Sequence, residues 1–239
     1  GQYPVNVGSV KNAGVEVTLD GNIINTKNVQ WNWNLNLSHY KNTILSLDDS
    51  VSENGIRGGN YIYKVGGSLY DAYMRKFAGV NPETGKAQWY KKVYDEEGNH
   101  TGDEITEVFT QADQYELGTV MPKLYGGFGT TLRAYGFDLS AQFSFQLGGK
   151  YYDGTYQALM HTSSGTGMAW HRDALNSWSE DNPNTNIPRL DGDTSVGQTA
   201  VDNYLISSNY LSINNVTLGY TFPAKWTSKV GVQALRLFV

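Results

Sequence analysis

Apolar and polar residues alternate without a break from 137 to 147, FDLSAQFSFQL. Phe137, Leu139, Ala141, Phe143, Phe145 and Leu147 are apolar, and Asp138, Ser140, Gln142, Ser144 and Gln146 between them are polar. Successive side chains on a strand point to opposite faces, so this stretch predicts a ribbon with one apolar and one polar side. The same period recurs along the chain. Val15, Val17 and Leu19 alternate with Glu16, Thr18 and Asp20, and Gly21-Asn22 after them predicts a turn. Trp31, Trp33, Leu35 and Leu37 alternate with Asn32, Asn34, Asn36 and Ser38. Residues 69–80 read as an aromatic strand, 81–85 (NPETG) as a turn, and 87–94 as the returning strand. The stretch 95–104, DEEGNHTGDE, reads as an acidic loop.

Farther along, 123–133 predicts a Gly-rich strand joined by Ala134-Tyr135-Gly136 to the 137–147 ribbon, and 150–159 carries the chain onward. Residues 205–222 predict a long strand whose second half alternates Val216, Leu218, Tyr220 and Phe222 with Thr217, Gly219 and Thr221; Pro223 stops it. A last strand is expected from about Val230. The total is about nine or ten strands with hardly any helix. Only 169–181, AWHRDALNSWSED, offers a short helix, with Trp170, Leu175 and Trp178 as its apolar members. No internal repeat has a fixed period.

What lies against the apolar faces decides the fold class. Several predicted strands exceed ten residues, whereas strands of ordinary soluble sheets run to about 5–6. The connections are unequal: some are tight, and one, 161–203, is very long. Long structureless loops are uncommon in compact soluble domains, whereas outer-membrane barrels pair short turns with long outer loops. Tyr135, Tyr151, Tyr152, Tyr220 and Phe222 gather at strand ends, where a lipid-interface girdle would place them. Tyrosine also simply favours strands. On pattern alone both a transmembrane barrel and a soluble sandwich remain open.

The chain has 239 residues, 17 tyrosines, 27 glycines and a net charge of -5. The acidic balance and the lack of any basic run argue against a nucleic-acid surface. With no cysteine, disulfides, thiolate metal sites and cysteine nucleophiles are excluded. No run of 18 apolar residues exists, so no transmembrane helix is expected; a barrel passes that filter unseen. The chain opens Gly1-Gln2-Tyr3-Pro4 and closes on Leu235-Arg236-Leu237-Phe238-Val239, inside an expected strand. It is expected to be an internal piece of a longer protein.

Four segments, in order, resemble the C-terminal part of the SusC/RagA family of TonB-linked outer-membrane transporters. The stretch 6–19 is similar to the family's Asn-x-Gly-x-Glu strand pattern, here Asn12, Gly14 and Glu16. Residues 77–89 resemble its hairpin around Gly79, Pro82, Thr84 and Gly85, and 122–153 its pair of long strands. NYLSINNVTLGYTFP, 209–223, is similar to its most specific signature. The resemblance implies an all-β architecture, part of a large antiparallel transmembrane barrel of the 22-stranded, plugged kind. It implies TonB-dependent import of a glycan or peptide nutrient at the bacterial cell outer membrane. The implied partners are a SusD-like surface lipoprotein, TonB through an N-terminal part outside this chain, the cargo and the lipid bilayer, with no nucleic acid. All of 1–239 then belongs to the C-terminal portion of the barrel, and 161–203 to a long outer loop. A soluble all-β carbohydrate-binding module and a passive porin are the alternatives.

Catalytic chemistry finds little support. Asp48, Asp49, Glu96, Glu97, Asp191 and Asp193 sit in Gly/Asn-rich loops, where solvated charge explains them better than a glycosidase pair. GGFGTTL, 126–132, has Leu132 where a dinucleotide motif needs its third glycine. His161 and His171 lack ligand spacing, and DGDT, 191–194, lacks the rest of a calcium loop. No enzyme, cofactor or metal is expected. Trp170 and Trp178 in the long loop are the candidate substrate- or partner-contacting residues, since an indole offers a flat apolar face with a polar edge. Anchoring the loop is the competing role.

Overall fold

The computed structural model describes residues 7–160, 167, 169–190 and 200–239. His161, Asp191, Asp193 and the 191–194 stretch lie outside them. Fifteen strands occur among the described residues. The first nine are β1 (Gly8–Asn25), β2 (Val29–Leu47), β3 (Ile56–Gly58), β4 (Tyr61–Tyr63), β5 (Asp71–Arg75), β6 (Phe77–Val80), β7 (Ala87–Tyr94), β8 (His100–Thr106) and β9 (Gln114–Thr119). The rest are β10 (Leu124–Ala134), β11 (Phe137–Leu147), β12 (Lys150–Tyr152), β13 (Leu205–Ser207), β14 (Tyr210–Thr221) and β15 (Arg236–Phe238). Helix is confined to short pieces, among them α1 (Asp49–Ser52), α2 (Gly154–Leu159) and α3 (Ala224–Thr227). No helix among the described residues is long and apolar enough to cross a membrane, which leaves strands untested.

The chain divides into two compact units. One, here the sheet unit, holds Asn12–Lys41, Met121–Gly149 and Ser208–Val239; the other, the packed unit, holds Gly1–Lys11, Asn42–Val120 and Lys150–Ser207.

The long sheet runs β1-β2-β10-β11-β14-β15, with β1 and β15 as open edges. Its pairing carries the sequence alternation across strands as well as along them. Phe128 of β10 lies opposite Leu35 of β2 and Phe143 of β11, and Leu132 opposite Trp31 and Leu139. On the next strand Leu139 faces Leu218, Ala141 faces Val216 and Phe145 faces Leu211. One face is therefore apolar from β2 to β14. Asn34, Gly129, Gln142 and Asn215 line the other.

That register survives only because of a bulge. Leu211 and Ile213 occupy odd positions, and Val216, Leu218 and Tyr220 even ones. Pairing steps from Gln142↔Asn215 to Phe143↔Ile213, so Asn214 is the extra residue. A one-residue slip exchanges the two faces of a strand, and the bulge makes that exchange where the sequence pattern changes phase. Without it, half of β14 would turn its apolar residues to the polar side.

The apolar face is open. Leu211, Ile213 and Val216 are 65%, 66% and 53% exposed. The rings on it touch one another: Phe128 stacks on Phe143 at 4.7 Å, and Phe137 meets Tyr220 at 4.6 Å. Two of its polar groups are paired within the sheet. The Trp31 indole N–H donates to Thr130 Oγ1 at 2.8 Å, and the Thr130 hydroxyl donates to the Asn32 carbonyl at 3.1 Å.

Gly21-Asn22 does not turn the chain. β1 runs through it, and the turn comes at 26–28, where the Thr26 N–H donates to the Val29 carbonyl. A Cβ on Gly21 would lie 2.4 Å from the Trp33 indole nitrogen, so this glycine makes room for a ring on the neighbouring strand. The expected 134–136 connection is a two-residue hairpin turn at Tyr135-Gly136, both with positive φ (50° and 92°), as a type I′ turn requires. In the antiparallel sheet the turns 26–28 and 135–136 fall at one end, together with the 222–235 connection.

The long connections, 48–123 and 148–209, are not structureless. Six strands, rather than about nine or ten, build the long sheet. The other nine form sheets of order β3-β4-β5-β9, β6-β7-β8 and β12-β13. The packed unit has its own core around Trp89 and Val201, both fully buried, with Ala87, Ala112, Met160, Ala174 and Tyr204. Phe77 and Phe109 meet Trp89 edge-on at 5.3 and 5.1 Å. The returning strand 87–94 forms as expected. The acidic loop shortens to 95–99, and β8 begins at His100 because Glu104 pairs across the strands with Lys91 at 2.7 Å. In place of a helix over 169–181 there is one 3-10 turn, Arg172–Asn176, with Leu175 pointing to solvent. The helix stops because Trp178 turns away, its N–H donating to the Ile187 carbonyl. Near the C-terminus, α3 and a 3-10 turn follow Pro223, so the last strand starts at Arg236 rather than near Val230.

Candidate functional site

Two surfaces offer chemistry, one on each unit. On the polar face of the long sheet, uncharged amides and hydroxyls bridge strands. Asn36 Oδ1 accepts from the Gly127 N–H at 2.9 Å, and Ser144 Oγ donates to Asn214 Oδ1 at 3.0 Å. The Gln146 carboxamide donates to Ser208 Oγ at 2.8 Å. A Cβ on Gly129 would strike the Gln142 carboxamide, so the glycine leaves that amide space to lie flat across the sheet. The glycines of GGFGTTL thus serve close packing on a strand, and the segment opens no helix. Charge returns at the tight-turn end, where Arg236 grips Asp138 through Nε and Nη2 at 3.0 and 2.5 Å.

The packed unit holds a cleft of about 460 Å³. Phe77, Tyr156, Met160 and Tyr204 supply its apolar wall. Asn186, Asn203 and the outer strand β6 supply its polar groups. The strand is fixed at its start by Asp202, whose Oδ1 accepts from the Phe77 N–H at 2.7 Å; burial pushes this carboxyl above its usual range. Tyr156 is held by its hydroxyl, which donates to Asp173 Oδ2 at 2.9 Å, and by the His171 ring edge-on at 4.8 Å. Burial and the Asp173 carboxylate push the Tyr156 phenol up to about 12, so it stays a neutral donor. His171 Nδ1 accepts from the Asp173 N–H at 3.1 Å, which makes it a turn cap. Among the described residues no three His, Asp or Glu side chains come together as a metal site.

The two candidate tryptophans have different surroundings. Trp178 lies against the 81–85 turn: its indole N–H donates to the Pro82 carbonyl at 3.0 Å, and a Cβ on Gly85 would touch its ring. Trp170 is 47% exposed. Asp48 caps α1 by accepting from the Ser50 N–H and hydroxyl, and Glu96 and Glu97 are exposed at a loop tip. Sequence reasoning missed Phe77, Tyr156 and Tyr204 as cleft residues. The tyrosine cluster at 151, 152 and 156 was the available signal.

No family model matches the chain. It is 24% identical over 247 residues to TonB-dependent receptor P3, and 26% over 249 residues to TonB-dependent receptor P26, both of Formosa agariphila. Each alignment covers 98% of this chain and 24% of the relative. Among solved structures it resembles the RagAB peptide transporter, with a TM-score of 0.75, 25% identity, 98% of this chain covered and 26% of that one. These likenesses make the chain SusC/RagA-like, similar to a barrel segment of TonB-dependent receptors. This segment spans about a quarter of the length of the curated relatives it matches. The RagAB peptide importer in its closed-closed state gives a TM-score of 0.74 over the same share of the SusC/RagA-like segment. By name, these relatives are receptors and importers, not enzymes.

Proposed function

We propose that this segment supplies wall and loops to an outer-membrane, TonB-dependent importer of a nutrient, glycan or peptide, that works with a SusD-like surface lipoprotein. One observation carries the reading: the register of β2, β10, β11 and β14 keeps one face apolar and open, and the other polar, with charge only at the tight-turn end, at Arg133 and Asp138. In hydrocarbon every backbone polar group needs an internal partner, which a closed strand ladder provides. Lipid then solvates the open apolar face, and the amides of the other face exchange hydrogen bonds with water and solute. Energy coupling belongs to a TonB-contacting part of the longer protein. The 161–203 segment, read as an outer loop, carries Trp170 and Trp178 as candidate contacts, Trp170 by virtue of its exposed ring.

The test is uptake by cells carrying the full-length receptor. Labelled oligosaccharide and peptide mixtures are offered to the parent strain and to strains lacking TonB or the receptor. The reading expects accumulation of one cargo class that both deletions abolish. Uptake that persists without TonB supports a passive porin instead.

A further inference from the structure

We infer that the cleft of the packed unit is a subsite for an uncharged, extended stretch of peptide cargo, seated beside the outer edge of β6; this rests on the import reading above. Three features point to a peptide. First, β6 is an outer strand of its sheet, with β7 on one side only. Pairing passes from Phe77↔Trp89 to Gly79↔Gln88, so Ala78 is a bulge residue with no partner on β7. Bulged residues leave backbone groups outside the ladder, and an outer strand edge pairs readily with an added extended chain. Second, the space above Gly79 is open among the described residues: a Cβ built there meets none of their atoms within 4 Å. That lets another main chain approach closely. Third, among the described residues no charged side chain lines the cleft, and the carboxylates beside it, Asp202 and Asp173, are occupied. Asp202 accepts from the Phe77 N–H, and Asp173 from the Tyr156 hydroxyl.

What remains is matched to a neutral peptide. Phe77, Tyr156, Met160 and Pro188 offer an apolar seat for one side chain. The exposed Asn186 carboxamide has no partner among the described residues, and it can both donate to and accept from a peptide unit. The tyrosine rings stand edge-on to their neighbours, Tyr156 to Tyr204 at 6.2 Å and to His171 at 4.8 Å. They wall the seat and do not present a free flat platform of the kind that stacks on a sugar.

The experiment uses the purified full-length receptor and follows the fluorescence anisotropy of dansyl-Ala-Phe-Ala-amide. Ala78→Trp fills the cleft, and Asn186→Ala removes the carboxamide at an exposed position that packing does not need. The expected result is binding to the parent receptor that weakens about tenfold or more in Ala78→Trp and to a smaller degree in Asn186→Ala, with maltotriose failing to displace the probe. Equal binding by parent and both variants, no binding to the parent, or displacement by maltotriose overturns the assignment. TonB dependence is read separately as uptake by whole cells. If peptide uptake requires TonB but both variants bind normally, the subsite falls and the importer stands. If the variants lose binding while uptake ignores TonB, the importer falls and the subsite stands.

Discussion

Arg236 holds Asp138 with one edge of its guanidinium, Nε and Nη2, across a strand that lies between them. Asp138 is the second residue of β11, Arg236 starts β15, and Gly219 of β14 separates the two. A Cβ on Gly219 would lie 2.5 Å from Arg236 Nη2 and 2.7 Å from Asp138 Oδ1. A two-point guanidinium–carboxylate contact fixes orientation as well as distance. Here it ties the edge strand β15, only three residues long, to the sheet.

Gly219→Ala is therefore expected to part the pair and loosen β15, more than Asp138→Asn, which keeps one hydrogen bond. Heat-modified mobility of the full-length receptor on gels checks this. The ordering predicted is parent, then Asp138→Asn, then Gly219→Ala as the first to unfold.

The two faces should respond oppositely to charge. Val216→Arg sets a cation on the apolar side and is expected to cost about 2–4 kcal/mol if the site lies near the midplane. Thr217→Lys, one residue along on the polar side, is expected to be close to neutral. Urea titration of receptor folded into vesicles measures both.

The bulge gives a prediction that composition does not. Deleting Asn214 restores a plain ladder and leaves Leu211 and Ile213 on the apolar side, because Ile213 then follows Asn215 in strict alternation. The deletion is expected to be tolerated in outer-membrane assembly, whereas deleting Ser212, which makes Leu211 and Ile213 neighbours and so turns them to opposite faces, is expected to abolish it. Surface exposure of the receptor on intact cells reads the difference.

Much of this was legible in the sequence, and the misses have physical causes. The 137–147 ribbon forms where alternation placed it, and the 87–94 strand where the 81–85 turn sends the chain back. Gly21 misled because a glycine that clears space for Trp33 looks the same in sequence as one that turns the chain. The 48–123 and 148–209 connections hid a packed unit because its strands are short and its core is gathered from distant pieces: Trp89, Ala112, Met160, Ala174 and Val201. The cleft was hidden for the same reason, since Phe77, Tyr156 and Asn186 share no periodic segment. The Asn214 bulge could have been read from the phase change between Ile213 and Val216.

The packed unit should unfold by its own core. Trp89→Ala removes its largest fully buried side chain and is expected to cost about 3–5 kcal/mol. Trp89→Phe should cost far less, because the indole nitrogen has no hydrogen-bond partner among the described residues. Tryptophan fluorescence melts compare the two.

Asp202 adds a pH dependence to that unit. Burial raises its folded pKa above the ordinary 3.8, so the folded state holds the proton more tightly than the unfolded one. The stability this contributes is full below the ordinary value and is lost as pH rises through the raised one. Asp202→Asn keeps an oxygen for the Phe77 N–H and needs no ionisation. It is expected to flatten the acid-side pH profile of the melting temperature and to raise it at neutral pH.

The most direct measurement scans nitroxide labels along β11 of the full-length receptor in a lipid bilayer. Labels at 139, 141, 143 and 145 should collide freely with oxygen, which partitions into hydrocarbon. Labels at 140, 142, 144 and 146 should respond to a water-soluble relaxant, giving opposite two-residue oscillations. If the odd positions prove shielded from both reagents, protein and not lipid covers the apolar face, and the account is contradicted.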